Sequence, residues 1–216
     1  MRDRIALDDK PCDTYQDICQ LLSEGRTSQA VRRIKALKRQ SHKRDGYLLN
    51  LEGICLHRMG RSKQALSLYM QALRPNPELR TVYYHVGIAY MDLKAYEKAL
   101  HWLSRAWRLY SRESHERKAW VLEALGESLY ELGKFRQAQD VLKKRRKYIS
   151  APKDVARNNG NLSNCWIAEA MRLSGIGRNV RAARAAELAL HYNPANRCAK
   201  RFLMREQRRI VRSSMR

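Results

Sequence analysis

In the segment GYLLNLEGICLHRMGRSKQALSLYMQALRPNP, residues 46 to 77, apolar residues recur at helical spacing, break once at Gly60 and end on Pro75 and Pro77. A glycine between two amphipathic runs predicts the turn of a helical hairpin, and the prolines beyond predict its stop. The hairpin is not alone. Superposing Gly53 on Gly87, a spacing of 34 residues, also brings Ala65 over Ala99, Tyr69 over Leu103 and Ala72 over Ala106. A further copy starts near Ala119 and shows Leu122, Leu125, Gly126, Leu129, Ala138 and Leu142. Another starts near Ser163, with Trp166, Ala170, Leu173, Ala182, Ala186, Ala189 and Pro194. A degenerate first copy over residues 12 to 40 keeps Leu21, Ala30, Ile34 and Leu37 in register.

Two antiparallel helices approach closely only where Gly or Ala replaces a large side chain, and bulky neighbours then interlock around that contact. These residue types at this period resemble the tetratricopeptide repeat. That family's pattern places bulky residues at positions 4, 7, 11 and 24, small ones at 8, 20 and 27, and Pro at 32. The resemblance implies an all-α, right-handed superhelix of about five helix-turn-helix repeats, near 11–45, 46–79, 80–118, 119–162 and 163–194. Residues 1–10 are an N-terminal extension. Residues 195–212 predict an amphipathic helix, with Cys198, Phe202, Leu203 and Ile210 on one side, that caps the last repeat's apolar face; a basic tail follows to residue 216.

The chain departs from the pattern at identifiable places. Glutamates stand at position 7 in two copies, Glu52 and Glu169, and Arg145 occupies a position 27 that should be small. The connections before the last two copies are lengthened, the first by the polar stretch SRESHERK and the second by KYISAPKDVARNNGNLS. Pro152 and the Asn158 to Asn161 run are breaker signals, so the second insertion predicts a surface loop, with a hinge as the alternative.

Charge narrows the choice of partner. Forty-four Lys and Arg against 21 Asp and Glu leave a formal charge of +23, well beyond what solubility requires. In the repeat register the first helices hold 3 basic and 9 acidic residues, and the second helices hold 19 basic and 3 acidic. Basicity therefore belongs to the convex side and the C-terminus. Its densest runs include Arg32, Arg33 and Lys35 in the first copy and Lys143, Lys144, Arg145 and Arg146 in the third. Aromatic residues are nearly absent from these runs, so any nucleic-acid contact would be to phosphate and largely independent of sequence.

No catalytic constellation emerges. The six histidines are scattered, and there is no metal-binding His/Glu motif, nucleophile elbow or phosphate-binding glycine loop. No enzyme activity, metal or cofactor is expected. Five cysteines without a C-x-x-C pair predict buried thiols in a reducing compartment. With no signal-like N-terminus and no apolar run long enough to span a bilayer, a cytoplasmic location is expected.

The resemblance implies a protein-binding role and assigns ligand contacts to the concave first helices. Carried onto this sequence, the groove candidates are Tyr47, Asn50 and Ile54 in one repeat and Tyr84, His85 and Ile88 in the next. Trp120, Glu123 and Glu127 follow in the third of this series, and Ile167 and Met171 in the fourth. The family's carboxylate clamp for chaperone tails is absent, because Ile54, His85, Trp120 and Ala124 stand where it needs polar or cationic residues. The expectation is an adaptor that holds an apolar peptide or helix in the groove and presents a basic convex face to an acidic protein partner. An RNA- or ribosome-associated factor using the basic face is the alternative, and self-assembly into an oligomer is a third reading.

Overall fold

The computed structural model describes residues 13–40, 45–110 and 115–214. These residues form eleven α-helices and no strand. They run as α1 (Asp13–Ser23), α2 (Thr27–Gln40), α3 (Gly46–Arg58), α4 (Ser62–Ala72), α5 (Arg80–Asp92) and α6 (Tyr96–Leu109). The order continues with α7 (His115–Glu131), α8 (Phe135–Arg145), a 3-10 turn at Arg146–Tyr148, α9 (Pro152–Gly175), α10 (Asn179–Tyr192) and α11 (Arg197–Ser214). The chain divides into two compact units, one holding α1 to α6 and the other α7 to α11. Within each unit every helix packs on its sequence neighbour, and successive first helices also touch, α3 on α5 and α7 on α9.

One turn recurs between the helices of all five pairs. Gly25, Gly60, Gly133 and Gly177 have φ between +70° and +77°, and Lys94 takes the same place with φ +57°. The left-handed residue lets the chain reverse while the last carbonyls of the first helix are capped. At Gly60 the amide donates to the His57 carbonyl, and the next amide, of Arg61, reaches back to Leu56, both at 2.9 Å. The same pair of bonds forms at Gly25, Lys94, Gly133 and Gly177. The repetition extends to the degenerate first copy, whose sequence keeps few other marks.

The small residues at position 8 mark where paired helices touch. A Cβ added at Gly53 would lie 2.5 Å from the Tyr69 ring, one at Gly87 2.6 Å from Leu103, and one at Gly126 2.9 Å from Leu142. Tyr69, Leu103 and Leu142 are themselves buried. In the last pair the facing residue is also small: Ala170 and Ala186 share one core cluster with Leu173, Ala182 and Phe202.

Two expectations need correction. The stretch with Pro152 and the Asn158 to Asn161 run is neither loop nor hinge: it is the first half of α9, a 24-residue helix. Proline sits in the first turn, where its missing N–H costs nothing, and Asn158 is buried and bonded (see below), so tertiary contacts outweigh weak local propensity. The first helix of the last helix pair, α9, therefore begins at Pro152 rather than Ser163. The cap also differs in detail. α11 turns Ala199, Phe202 and Glu206 inward, whereas Cys198 is exposed. Cys19, Cys55 and Cys165 are buried, and Cys12 lies outside the described residues.

These contacts have opposite consequences at two glycines. Gly53→Val should destabilise the first unit by about 1–3 kcal/mol through overpacking against Tyr69. Gly160 lies inside α9 with open space where a Cβ would sit, so Gly160→Ala should stabilise by about 0.5–1 kcal/mol. Urea unfolding followed by far-UV circular dichroism measures both, and a destabilising Gly160→Ala would contradict the continuous helix.

Candidate functional site

Most of the first-helix residues assigned to a ligand groove are interior. Asn50, Ile54, Tyr84, His85 and Ile88 are buried in the first unit, and Glu123 and Ile167 in the second. Tyr47 and Trp120 are half-buried, and only Glu127 and Met171 are well exposed. Tyr47 stacks on Tyr15 with ring centroids 5.2 Å apart. Asn50 and His85 do come together: the neutral imidazole donates from Nδ1 to Asn50 Oδ1 over 3.1 Å. Burial, with His57 adding to it, pushes the His85 pKa down to about 3, and the ring stacks on Tyr69 at 5.4 Å. These side chains are engaged in packing their own helices.

The basic surface keeps all but one of its predicted members. Arg32, Arg33 and Lys35 are exposed on α2, and Lys143, Lys144 and Arg146 are exposed at the end of α8 and in the turn after it. Arg145 is the correction: at 1% exposure it is the largest fully buried side chain among the described residues. Its Nη2 meets Glu123 Oε2 at 3.0 Å, Nε donates to the Ala119 carbonyl at 3.1 Å, and Nη1 donates to Asn158 Oδ1 at 3.2 Å. Arg157 approaches the other oxygen of Glu123 at 2.8 Å, and Asn158 Nδ2 donates to the Leu142 carbonyl at 3.2 Å. Charge run composition alone could not single out the one cation that turns inward. The small-residue rule at position 27 did mark it.

The two position-7 glutamates also find cations. Glu52 on α3 pairs with Lys38 of α2 at 2.5 Å. Glu169 on α9 is buried between Arg172, whose Nε and Nη2 lie 2.8 Å from its two oxygens, and Arg136 of α8 at 3.4 Å. The hydrogen-bonded Arg172 guanidinium holds the Glu169 carboxyl below the usual carboxylate range, against the opposing effect of burial. The thiols of Cys55 and Cys165 are pushed up to about 12 by burial, which suits packing and not nucleophilic chemistry. No described helix is long and apolar enough to cross a membrane.

Comparison with known proteins agrees with this architecture. Residues 78–147 match the sequence model of the tetratricopeptide repeat family. The chain is similar in fold to PilF of Pseudomonas aeruginosa, with 17% identity over 92% of this chain and 83% of that one and a TM-score of 0.61. It is similar to MamA of strain AMB-1, with 20% identity, coverage of 85% and 99% and a TM-score of 0.60. It is also similar to YrrB, described as a tetratricopeptide repeat protein with an unusual peptide-binding site, with 16% identity, coverage of 78% and 96% and a TM-score of 0.52. No curated protein matches the chain in sequence. The paired helices and the recurring turn carry the architecture of the matched repeats through both units, and tetratricopeptide repeat proteins act in general as protein-interaction scaffolds.

Two buried groups give measurable signatures. Above the ordinary histidine pKa of 6.5, folded and unfolded chains both hold His85 neutral. As pH falls from there toward about 3, the unfolded chain takes up a proton that the folded ring does not, so stability drops by up to about 1.4 kcal/mol per pH unit. His85→Gln should flatten that part of the stability profile in urea titrations. Arg145→Ala should cost about 3–5 kcal/mol by leaving Glu123 buried with a broken network, whereas Lys147→Ala, on an exposed cation in the same run, should stay within about 0.5 kcal/mol. Equal effects of the two would place Arg145 at the surface.

Proposed function

We propose that this chain is a protein-interaction scaffold that engages an acidic segment of its partner through the cationic faces of its second helices and α11. The observation that carries this reading is the division of exposure between the two helix sets. First-helix candidates such as Tyr84 and Ile88 are used up in packing. The cations of α2, α10 and α11, and those of α8 other than Arg145, instead stand in solvent, and Arg32, Lys35, Arg181 and Arg184 have no carboxylate partner among the described residues. Exposed, unpaired arginine is the side chain best suited to bind carboxylates in two-point fashion. YrrB, similar in fold, is described as having an unusual peptide-binding site, which supports a peptide as the ligand.

An acidic, fluorescently labelled peptide should bind, and its affinity should fall as ionic strength rises. Replacing Lys143, Lys144 and Arg146 by Glu should weaken it by about tenfold or more, since close interfacial charge pairs each couple by about 1.5 kcal/mol or above. Anisotropy titrations against the peptide and against single-stranded RNA of similar charge decide the reading. If RNA binds tightly and the peptide cannot displace it, the nucleic-acid alternative replaces the scaffold.

A further inference from the structure

Within the second unit, α8, α9 and α10 enclose a cavity of about 390 Å³, within the size range of ligand sites. It lies among second helices and the side of α9 that faces them. Its apolar wall is Leu173, Ala185 and Leu188 together with the ring of Trp166. Leu173 and Ala185 are 5% and 4% exposed, so the wall is an extension of the hydrophobic core, open at one side.

The polar groups of the cavity are unevenly satisfied. Glu169 is fully engaged by Arg172 and Arg136, so the one buried carboxylate in the wall is already matched. Two N–H donors are not: Gln139 Nε2 and Trp166 Nε1 are sealed from solvent with no acceptor in the structure. Gln139 is only 3% exposed. Buried donors are nearly always paired in proteins, and an exception calls for a physical reason. Beside them Arg181 and Arg184 line the cavity from exposed positions on α10. Asp140 is the only carboxylate there that faces solvent, so the entrance keeps an excess of positive charge.

We infer that this cavity is a specific reader of the acidic partner, taking one large apolar side chain flanked by carboxylates. The apolar side chain fills the space against Leu173, Leu188 and Trp166. Small side-chain shifts on binding uncover the N–H groups of Gln139 and Trp166 to peptide carbonyls, and the flanking carboxylates meet Arg181 and Arg184. A nucleobase is less well matched, because Lys143 Nζ already stands 5.6 Å over the Trp166 ring and the remaining wall is aliphatic, so the cavity offers no second ring to sandwich a base. The inference rests on the basic-surface reading and adds selectivity to it: long-range charge attracts any acidic chain, and the cavity chooses among them.

The test uses the full chain and two short capped peptides, one of Glu and Asp around a central Leu, the other identical but with Ser for that Leu. By titration calorimetry the Leu peptide should bind about tenfold more tightly, the effect of burying one leucine. Arg181→Glu with Arg184→Glu, both on the surface and compatible with folding, should weaken the Leu peptide by about tenfold or more. Gln139→Leu removes an unmatched donor from the interior, so the variant should fold at least as stably and yet lose severalfold in affinity. Equal binding of the two peptides, or unchanged binding by Gln139→Leu, overturns the cavity as reader. If the double charge reversal still weakens both peptides, the scaffold reading survives that result. If neither peptide binds while single-stranded RNA does, the cavity inference and the acidic-partner reading both fail.

Discussion

The closest approach between the two helices of each pair is the constraint from which the rest of this structure follows. Gly53 leaves room for Tyr69, Gly87 for Leu103 and Gly126 for Leu142, in each case at a separation that a single added carbon would violate. In the last pair the volume is divided differently, since Ala170 carries a methyl group and the residue at the facing register position is Ala186. What is conserved from pair to pair is summed size rather than a residue type, as close packing requires. Once that contact is set, the left-handed turn at Gly60, Lys94 and their counterparts must reverse the chain in the same few residues every time.

The two departures that looked independent in the sequence, an arginine where the pattern wants a small residue and a long insertion before the last repeat, are one feature in three dimensions. Arg145 cannot be buried alone, because an uncompensated guanidinium in the interior is prohibitively costly. The insertion folds as added turns of α9, and those turns supply Asn158 as an acceptor for Arg145 and Arg157 as a second cation for Glu123. Asn158 then closes the network by donating to the Leu142 carbonyl, which lies on the residue that packs against Gly126. A helix with Pro152, Gly160 and three asparagines in its first half has little intrinsic tendency to form. It forms here because its polar side chains have partners only when it does.

This coupling explains which parts of the molecule were legible in the residues. The pairing of helices, the positions of the small residues and the amphipathic helix after residue 195 all depend on periodicity, and periodicity survives in sequence. The helical insertion did not reveal itself, since its local signals, Pro152 and the Asn158 to Asn161 run, are those of a loop and were overruled by contacts distant in sequence. The groove candidates met the same difficulty. A family position describes where a side chain starts, whereas its exposure depends on neighbours: Asn50 is consumed by His85, and Tyr84 by its surroundings. Glu169 was visible as an anomaly, but nothing in the sequence showed that Arg136 and Arg172 would neutralise it and leave Gln139 and Trp166 beside it without acceptors.

The distribution of charge follows from the same geometry. First helices are enclosed by neighbours on several sides, as α5 illustrates with an unbroken buried run from Thr81 to Ala89, so the charges they bury must be paired, as Glu123 and Glu169 are. Second helices need only a narrow stripe of Ala and Leu to meet the first, which leaves most of their circumference free of packing demands. That free surface is where arginine and lysine accumulate. Accumulated like charge opposes the compact state through self-repulsion, and nothing in the helix-pair contact requires it. The acidic partner that we propose would relieve that repulsion on binding, so the same cations that cost stability in the free chain would contribute affinity in the complex.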